Sequence, residues 1–434
     1  MIPRRFLLIA GTFLLSVLLY VDRACISTAK EAMTRELNLS KEQWSWVLAS
    51  FAFGYALCQT PAGVLADRLG GRAVLTTIVT AWSVFTGLTA AAWNFVSLLV
   101  IRFLFGAGEA GAFPGMARVV YSWIPVRERG VVKGVNFSGS RIGAALAMPG
   151  VAWLIHQLGW KLSFAVLMAA GLVWSALWWV WFRDDPTQKQ GLARAELEYI
   201  LQNRQDPDRA AAPPARLSIR TLLASGNLWL MMTQYFGSNF TFFFSLTWLY
   251  PYVQSKYHLT AVDAGFYAMV PVLGGAAGNI LSGVVVDVLY RKGWASLSRK
   301  LPAIMGFSLA ALGMVMSVDQ ATATGAVCWL AVAIFGADMT LSPSWSFCID
   351  IGGPHAGAVS GTMNMAGNLG SAITALAFAY LPESARGNVA FFYTAAGLSG
   401  LAILCWLLAN PAQKICVRPV VARTSPSAPN PHEK

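Results

Sequence analysis

An arginine and a glutamate seven residues apart interrupt an apolar segment of the sequence. They are Arg102 and Glu109, in the stretch Arg-Phe-Leu-Phe-Gly-Ala-Gly-Glu, within a mostly apolar run from about residue 95 to residue 120. Seven residues make about two helical turns, so both side chains would lie on one face of a helix. Because a charge at the middle of a bilayer costs about 2.5–3.5 kcal/mol, such residues face a protein interior or a watery path, which predicts a functional site. The alternative is an ion pair that only ties helices together.

A buried arginine beside a buried acid can couple anion binding to proton uptake. Arginine can hold a carboxylate through two parallel hydrogen bonds. Since the acid and a bound carboxylate compete for one cation, protonation of the acid depends on whether substrate occupies the arginine. This chemistry indicates a site for an organic anion that is coupled to protons.

Other polar residues interrupt apolar segments further along the chain. Asp22 and Arg23 end the first apolar run, where they could belong to a site or anchor a helix at the membrane interface. Arg141 lies well inside the fifth run, so we expect it to line the path or, alternatively, to pair with a neighbouring helix. Asp338 could be a second proton group or part of a cavity wall. Asn364 could bind substrate hydroxyls, as could Asn368, or both could join helices.

The composition predicts an all-α membrane protein. The 434 residues are 56% hydrophobic and 12% charged, whereas soluble domains are about 25% charged. Apolar runs of bilayer-spanning length recur about twelve times. They lie near 6–27, 43–65, 73–92, 95–119, 131–155, 162–182, 227–252, 263–288, 301–318, 323–347, 357–380 and 389–409.

The net charge of +12 is distributed as in a membrane protein. Bases concentrate on alternate sides of the predicted spans, so the positive-inside rule places both termini in the cytoplasm and gives no reason to expect nucleic acid as a partner. The loop from Arg23 to Glu42 is mixed in sign and is the exception. We predict a multi-pass protein of a bacterial-type inner (plasma) membrane.

Motifs of soluble enzymes are missing from the sequence. It has no Walker loop, no glycine-rich dinucleotide loop, no paired CxxC and no HExxH. The six cysteines are scattered and suit apolar packing. We therefore expect neither an enzyme nor a bound metal or cofactor.

The chain divides into two similar halves. Residues 283–292 repeat 63–72, and residues 357–370 repeat 130–143. Two echoes in matching places predict tandem six-helix bundles. We expect the first bundle at 1–182, a cytoplasmic connection at 183–226, the second bundle at 227–410, and a disordered tail at 411–434.

The first repeated segment predicts a conformational gate. Asp67, at a helix end, could form a charge cluster with Arg68 and Arg72 that holds the two bundles together in one state. Gly63 would allow close helix contact. In the second half, Asp287 and Arg291 take the matching positions. The alternative is a plain turn whose bases only set topology.

These residues resemble a known family. The segment from Gly63 to Arg72 is similar to the cytoplasmic signature of the major facilitator superfamily. Four further stretches resemble its anion:cation symporter branch, which includes bacterial sugar-acid permeases and animal organic anion carriers. They are Val21–Ala24, Tyr55–Pro61, Arg102–Pro114 and Trp123–Gly130.

The resemblance implies roles for several residues, and the chain differs from the family pattern at one position. Asp22 and Glu109 match the proton-linked acids of the branch. The matches to its substrate contacts are Arg23, Arg102, Tyr55, Trp345, Asn364 and Asn368. Sugar-acid members often carry Gln where this chain has Ser140, which here is followed by Arg141. That difference suggests a second anionic group on the substrate, or a different anion, with Ser140 and Arg141 beside it.

Together these observations predict a proton-coupled symporter of a small organic anion. The expected substrate class is a sugar acid such as a hexonate, hexuronate or aldarate, and the expected protein is a monomer in the lipid bilayer. An exchanger or sodium-coupled carrier of phosphate-bearing or aromatic anions is an alternative. A membrane sensor that binds without transport is another.

Overall fold

The computed structural model of the protein describes residues 3–205, 217–380 and 385–415, and this part of the chain is helical. The predicted tail lies largely outside the described residues. The α-helices are α1 (Arg4–Thr28), α2 (Lys30–Glu36), α3 (Lys41–Thr89), α4 (Phe95–Glu109), α5 (Ala112–Trp123), α6 (Arg129–Trp181), α7 (Arg194–Asn203), α8 (Ile219–Leu223), α9 (Gly226–Thr247), α10 (Leu249–Tyr257), α11 (Ala261–Arg291), α12 (Ala295–Ser317), α13 (Ala323–Met339), α14 (Leu341–Gly352), α15 (Ala356–Tyr380) and α16 (Ala385–Leu408).

Some helices cross the membrane twice. Eight stretches of the described residues are long and apolar enough to span a bilayer. Helices α3 and α6 have 49 and 53 residues, more than twice the roughly 20 that one crossing needs. Helix α3 turns back at Gly70, whose φ is +81°, and α6 does so at Gly159, whose φ is +74°. At Gly70 a side chain would also meet Asp184, since an added Cβ would lie 2.5 Å from its carboxylate.

The membrane crossings within residues 3–205, 217–380 and 385–415 are numbered passes 1 to 12. Pass 1 is α1, passes 2 and 3 are α3 before and after Gly70, and pass 4 is α4 with α5. Passes 5 and 6 are α6 before and after Gly159. Pass 7 is α9 with α10, pass 8 is α11, pass 9 is α12, pass 10 is α13 with α14, pass 11 is α15 and pass 12 is α16. Passes 1–6 are called the first half and passes 7–12 the second half.

Large apolar side chains cover the outer surface of the helices. Leu57 is 65% exposed, Val180 71% and Leu408 73%. Inside, Trp82, Trp345 and other aromatic side chains are fully buried. An apolar exterior around a core that also holds polar groups is what a lipid environment requires.

The two halves meet at two glycine crossings. A Cβ on Gly63 would lie 2.3 Å from the carbonyl oxygen of Gly357, so passes 2 and 11 touch through their backbones. Passes 5 and 8 do the same, because a Cβ on Gly130 or on Gly283 would lie 2.6 Å from the carbonyl oxygen of the other. Small residues permit such close helix contact. These four segments form the two sequence repeats. Residues 63–72 pack against 357–370, and residues 130–143 pack against 283–292.

An aspartate strengthens each crossing. The Asp67 carboxylate accepts hydrogen bonds from the amides of Gly357 at 2.8 Å and Ala358 at 2.7 Å. The Asp287 carboxylate accepts from the amides of Gly130 and Val131, both at 2.8 Å. Helix N-termini present free amides and favour anions. The bundle is therefore sealed at this end, called the basic end because Arg68, Arg127 and Arg291 lie in its turns.

The prediction that Asp67 forms a charge cluster with Arg68 and Arg72 is wrong. Asp67 binds backbone amides of the opposite half, since a helix terminus offers two donors side by side. Arg68 is exposed. The Arg72 guanidinium stacks 4.1 Å from the Trp179 ring and donates to the Trp179 carbonyl oxygen, both within the first half. Arg291 is exposed, so Asp287, rather than the arginine, makes the contact between halves.

Candidate functional site

A cavity lies between the two halves, with an empty volume of about 590 Å³ when its open mouth is included. Both halves contribute to its wall. The first half supplies Tyr20, Arg23, Tyr55, Phe113, Phe137 and Arg141, and the second supplies Tyr235, Ser238, Asn239, Phe242, Phe243, Leu341, Trp345, Asn364, Asn368 and Ser371. The wall thus combines two cations, several amides and hydroxyls, and aromatic rings, a set suited to a polar anion.

Arg23 reaches the cavity while bound to an acid behind it. Its Nε and Nη2 atoms both lie 2.5 Å from Oε1 of Glu109. The Arg23 side chain is 23% exposed, whereas that of Glu109 is 1% exposed. The Tyr55 ring lies 4.6 Å from the guanidinium and the Tyr20 ring 5.2 Å. A ligand in the cavity can therefore contact Arg23 from the side opposite Glu109.

Arg102 and Asp22 lie behind the cavity wall. Arg102 is 2% exposed, and its guanidinium is 4.4 Å from the Phe105 ring. Asp22 is 5% exposed and interacts electrostatically with Glu109 and Arg102. Arg102 and Glu109 belong to one buried group, but the hydrogen-bonded partner of Glu109 is Arg23, so the alternative of an ion pair between Arg102 and Glu109 is corrected. Arg102 does not line the cavity in this arrangement.

Arg141 lines the cavity and is also paired. Its Nε and Nη2 atoms donate to the two carboxylate oxygens of Asp338 at 2.7 and 2.6 Å. The Phe242 ring lies 3.5 Å from the guanidinium, and Asn279 donates to Asp338 at 3.1 Å. The pair joins pass 5 to pass 10, so it also connects the halves. Arg141 therefore lines the cavity and also pairs with a neighbouring helix, through Asp338.

Ser140 lies outside the cavity wall. It is fully buried, and its hydroxyl has no hydrogen-bond partner among the described residues. The neighbouring Arg141 faces the cavity instead, because adjacent residues on a helix point in different directions.

The second half contributes the predicted neutral groups. The Trp345 indole donates to the Tyr235 hydroxyl at 2.8 Å, and its ring centroid lies 5.5 Å from that of Phe137 in the opposite half. The Asn368 amide donates to Gln59 of the first half at 3.1 Å. Asn364 faces the same cavity. Asn368 therefore both lines the cavity and joins helices.

Sequence reasoning missed Lys133 and the phenylalanine rings that line the cavity. Lys133 is 1% exposed, and its Nζ lies 4.8 Å from the Trp345 ring. Nearby, Asp350 binds Arg129 at 2.6 Å and Arg299 at 2.8 Å. The sequence position of Lys133 could have revealed it, because Lys133 lies one helical turn after Arg129 in a glycine-rich apolar helix.

Comparison with known proteins decides the family. The sequence profile of the Major Facilitator Superfamily matches residues 12–375. The chain belongs to this superfamily. A probable sulfoacetate transporter of Cupriavidus necator is 30% identical over 413 residues, covering 94% of this chain and 95% of that protein. A probable galactarate/D-glucarate transporter of Escherichia coli strain K12 is 32% identical over 422 residues, covering 93% of this chain and 94% of that protein.

A solved structure shows the same fold. The superfamily transporter FucP, crystallised in the outward conformation, superimposes with a TM-score of 0.71 at 14% identity, covering 93% of this chain and 98% of that one. The prediction of an all-helical membrane fold of this superfamily is thus confirmed, as is the resemblance to bacterial sugar-acid permeases. This superfamily member is a transporter and not an enzyme. Within residues 3–205, 217–380 and 385–415, no three His, Cys, Asp or Glu side chains form a group that could hold a metal ion.

Proposed function

We propose that the chain is a proton-coupled symporter that carries a small organic anion of the sugar-acid class by alternating access. The observation that carries the proposal is the Arg23–Glu109 pair, with its cation facing the cavity and its acid buried behind. A substrate carboxylate in the cavity and the Glu109 carboxylate would share one guanidinium. The similarity to a probable sulfoacetate transporter and a probable galactarate/D-glucarate transporter supports an organic anion.

The coupling follows from the cost of an unpaired buried charge. When a substrate carboxylate takes Arg23, Glu109 loses its strongest partner and remains 1% exposed. A buried carboxylate without a cation favours its protonated form. Asp22, which interacts with Glu109 and Arg102, is the second candidate for proton exchange. Substrate hydroxyls would bind Asn364 and Asn368, with Tyr55 and Trp345 as flanking aromatic surfaces.

Transport would proceed by rocking of the bundles at 1–182 and 227–410 about the cavity. The basic end is sealed here by Asp67 and Asp287, so these contacts must break before substrate leaves there. The bases at this end support a cytoplasmic location for it, and for both termini, in an inner membrane. We propose that the monomer is the transport unit, since the two halves of the chain together form the cavity wall.

The test is uptake by purified protein in proteoliposomes. Labelled hexonates, hexuronates, aldarates and aromatic carboxylates are supplied with and without an inward proton gradient, and protein-free liposomes are the control. We expect one class to accumulate only with the gradient, and a protonophore to abolish that accumulation. Uptake that ignores the gradient but is stimulated by internal substrate would instead establish an exchanger. Binding without uptake of any compound would indicate a sensor.

A further inference from the structure

Resting on the proposed function, we propose that the transported anion carries two anionic groups. The first binds Arg23, and the second binds Arg141 and displaces Asp338 from it. The ligand class is a short, flexible dianion, either a dicarboxylate or a carboxylate with a sulfonate.

Two cations lie on the same wall of the cavity. Arg23 and Arg141 both line it, from passes 1 and 5. Both also contact Tyr20: the Arg23 guanidinium lies 5.2 Å from the ring, and Arg141 interacts with the same side chain. The two guanidinium groups therefore share one tyrosine neighbour in the cavity wall. A chain of a few carbon atoms with an anionic group at each end can contact both at once.

Each of these cations already holds an internal carboxylate. Glu109 occupies Arg23, and Asp338 occupies Arg141 through two parallel hydrogen bonds. That fork geometry suits the oxygens of an incoming carboxylate or sulfonate as well as those of Asp338. The second pair therefore marks a second place where substrate can replace a protein acid.

The surroundings of Asp338 can hold it after displacement. The Asn279 side-chain nitrogen donates to Asp338, while its oxygen has no partner among the described residues. A protonated Asp338 can donate its O–H to that oxygen and accept from the nitrogen, which leaves neither group unsatisfied. The groups around Asp338 are thus Arg141 from pass 5, Asn279 from pass 8, and the backbone at Gly275.

Displacement also acts on the contact between halves. Arg141 belongs to the first half and Asp338 to the second, so a ligand group on Arg141 breaks a buried ion pair between them. A monoanion bound at Arg23 leaves that pair closed. A dianion consequently releases a constraint on rocking that a monoanion does not.

The experiment compares ligands that differ only in the second anionic group. Galactarate and galactonate share a six-carbon chain and differ in one terminal carboxylate. Their uptake by proteoliposomes under a proton gradient gives kcat/KM for each, and the thermal stabilisation of detergent-solubilised protein by each gives a second, transport-independent readout. We expect the wild type to favour galactarate at least tenfold in kcat/KM.

The decisive variant combines Arg141→Gln with Asp338→Asn. It removes both charges and so leaves no buried charge without a partner. We expect it to lose the dianion preference to within about twofold. Asp338→Asn alone keeps Arg141 and should lower KM for galactarate but not for galactonate. The control is Lys161→Gln, which removes one cation from an exposed pair with Glu36, and its preference should match the wild type.

The outcomes separate this inference from the proposed function. Gradient-driven uptake with equal or higher preference for galactonate overturns the dianion assignment and leaves the symporter intact. A tenfold galactarate preference that persists in the double variant overturns the role of Arg141. Neither uptake nor stabilisation by any organic anion overturns the proposed function and this inference together.

Discussion

Asp67 and Asp287 occupy repeated positions 220 residues apart, and each caps the first helical turn of a pass in the opposite half. Asp67 of pass 2 holds pass 11, and Asp287 of pass 8 holds pass 5. One interaction is thus used twice at the basic end, with two backbone amides per carboxylate. We call each aspartate with its two amide donors a lock. Because both locks join helix termini, they can open without unfolding a helix.

Removing one lock should open the basic end. Each hydrogen bond to a charged group contributes about 1.5–3 kcal/mol, so Asp67→Ala should shift the bundle away from the sealed arrangement. Cys348 is fully buried at this end and reports on it. With the other five cysteines replaced by serine, we expect a thiol reagent to label Cys348 several-fold faster in Asp67→Ala than in the parent.

Two variants control that labelling experiment. Glu36→Gln removes an exposed acid whose partners, Trp160 and Lys161, lie in the turn between passes 5 and 6, away from the basic end, so labelling should not change. Asp287→Ala should accelerate labelling as Asp67→Ala does, since it is the matching lock. Unchanged labelling in both lock variants would contradict the gate.

Gly63 should tolerate no side chain. Its Cβ would lie 2.3 Å from the carbonyl oxygen of Gly357, and overpacking of this kind costs about 1–3 kcal/mol. We expect Gly63→Ala to lower the melting temperature of the detergent-solubilised protein and to reduce uptake. Gly397 is the matched control, because nothing lies within 4 Å of an added Cβ. Gly397→Ala should be as stable as the wild type or more stable, since alanine favours helix.

Glu109 should be needed for coupling rather than for binding. In Glu109→Gln the side-chain amide can still contact Arg23, but an amide does not take up or release a proton near neutral pH. We expect gradient-driven accumulation to fall to the level of equilibration, while exchange of internal for external substrate continues. Glu31→Gln removes an exposed acid and is the control. Full accumulation in Glu109→Gln would exclude Glu109 as the coupling group.

His355 should make stability depend on pH. It lies in the turn between passes 10 and 11, and burial together with the neighbouring Arg118 lowers the pKa of His355 to about 4. The unfolded chain binds this proton below about pH 6.5. The folded state therefore loses stability as pH falls from about 6.5 towards 4, by at most about 1.4 kcal/mol per pH unit.

The measurement is the melting temperature at pH 7, 5.5 and 4.5. We expect His355→Gln to flatten the decline on acidification relative to the wild type. His156→Gln removes an exposed histidine and should keep the wild-type slope. Equal slopes in all three proteins would show that His355 is not a source of the pH dependence.

The local features of this protein were readable from its sequence. Apolar runs of membrane-crossing length, the repeats at Gly63 and Gly130, and the acids at Asp22 and Glu109 depend only on residues close together in the chain. The sequence also predicted six of the residues that line the cavity, namely Arg23, Tyr55, Arg141, Trp345, Asn364 and Asn368. Their assigned roles in transport stay predictions.

The partners of the charged residues were decided by the tertiary structure. Helix periodicity placed Glu109 and Arg102 on one helix face, but the hydrogen bond to Glu109 comes from Arg23, 86 residues away. It left Asp338 unexplained, although Arg141 lies 197 residues before it. The sequence also predicted Arg68 and Arg72 as the partners of Asp67, whereas its carboxylate accepts hydrogen bonds from two backbone amides of pass 11.

The sequence by itself determined which segments cross the membrane and which polar groups must be shielded from lipid, because transfer energies and helical periodicity act residue by residue. Only the tertiary structure decided which of those groups meet. The reason is that hydrogen bonds and ion pairs require contact within about 3 Å. That contact depends on which helix faces cross, and here glycine-to-glycine packing between the halves sets the crossing.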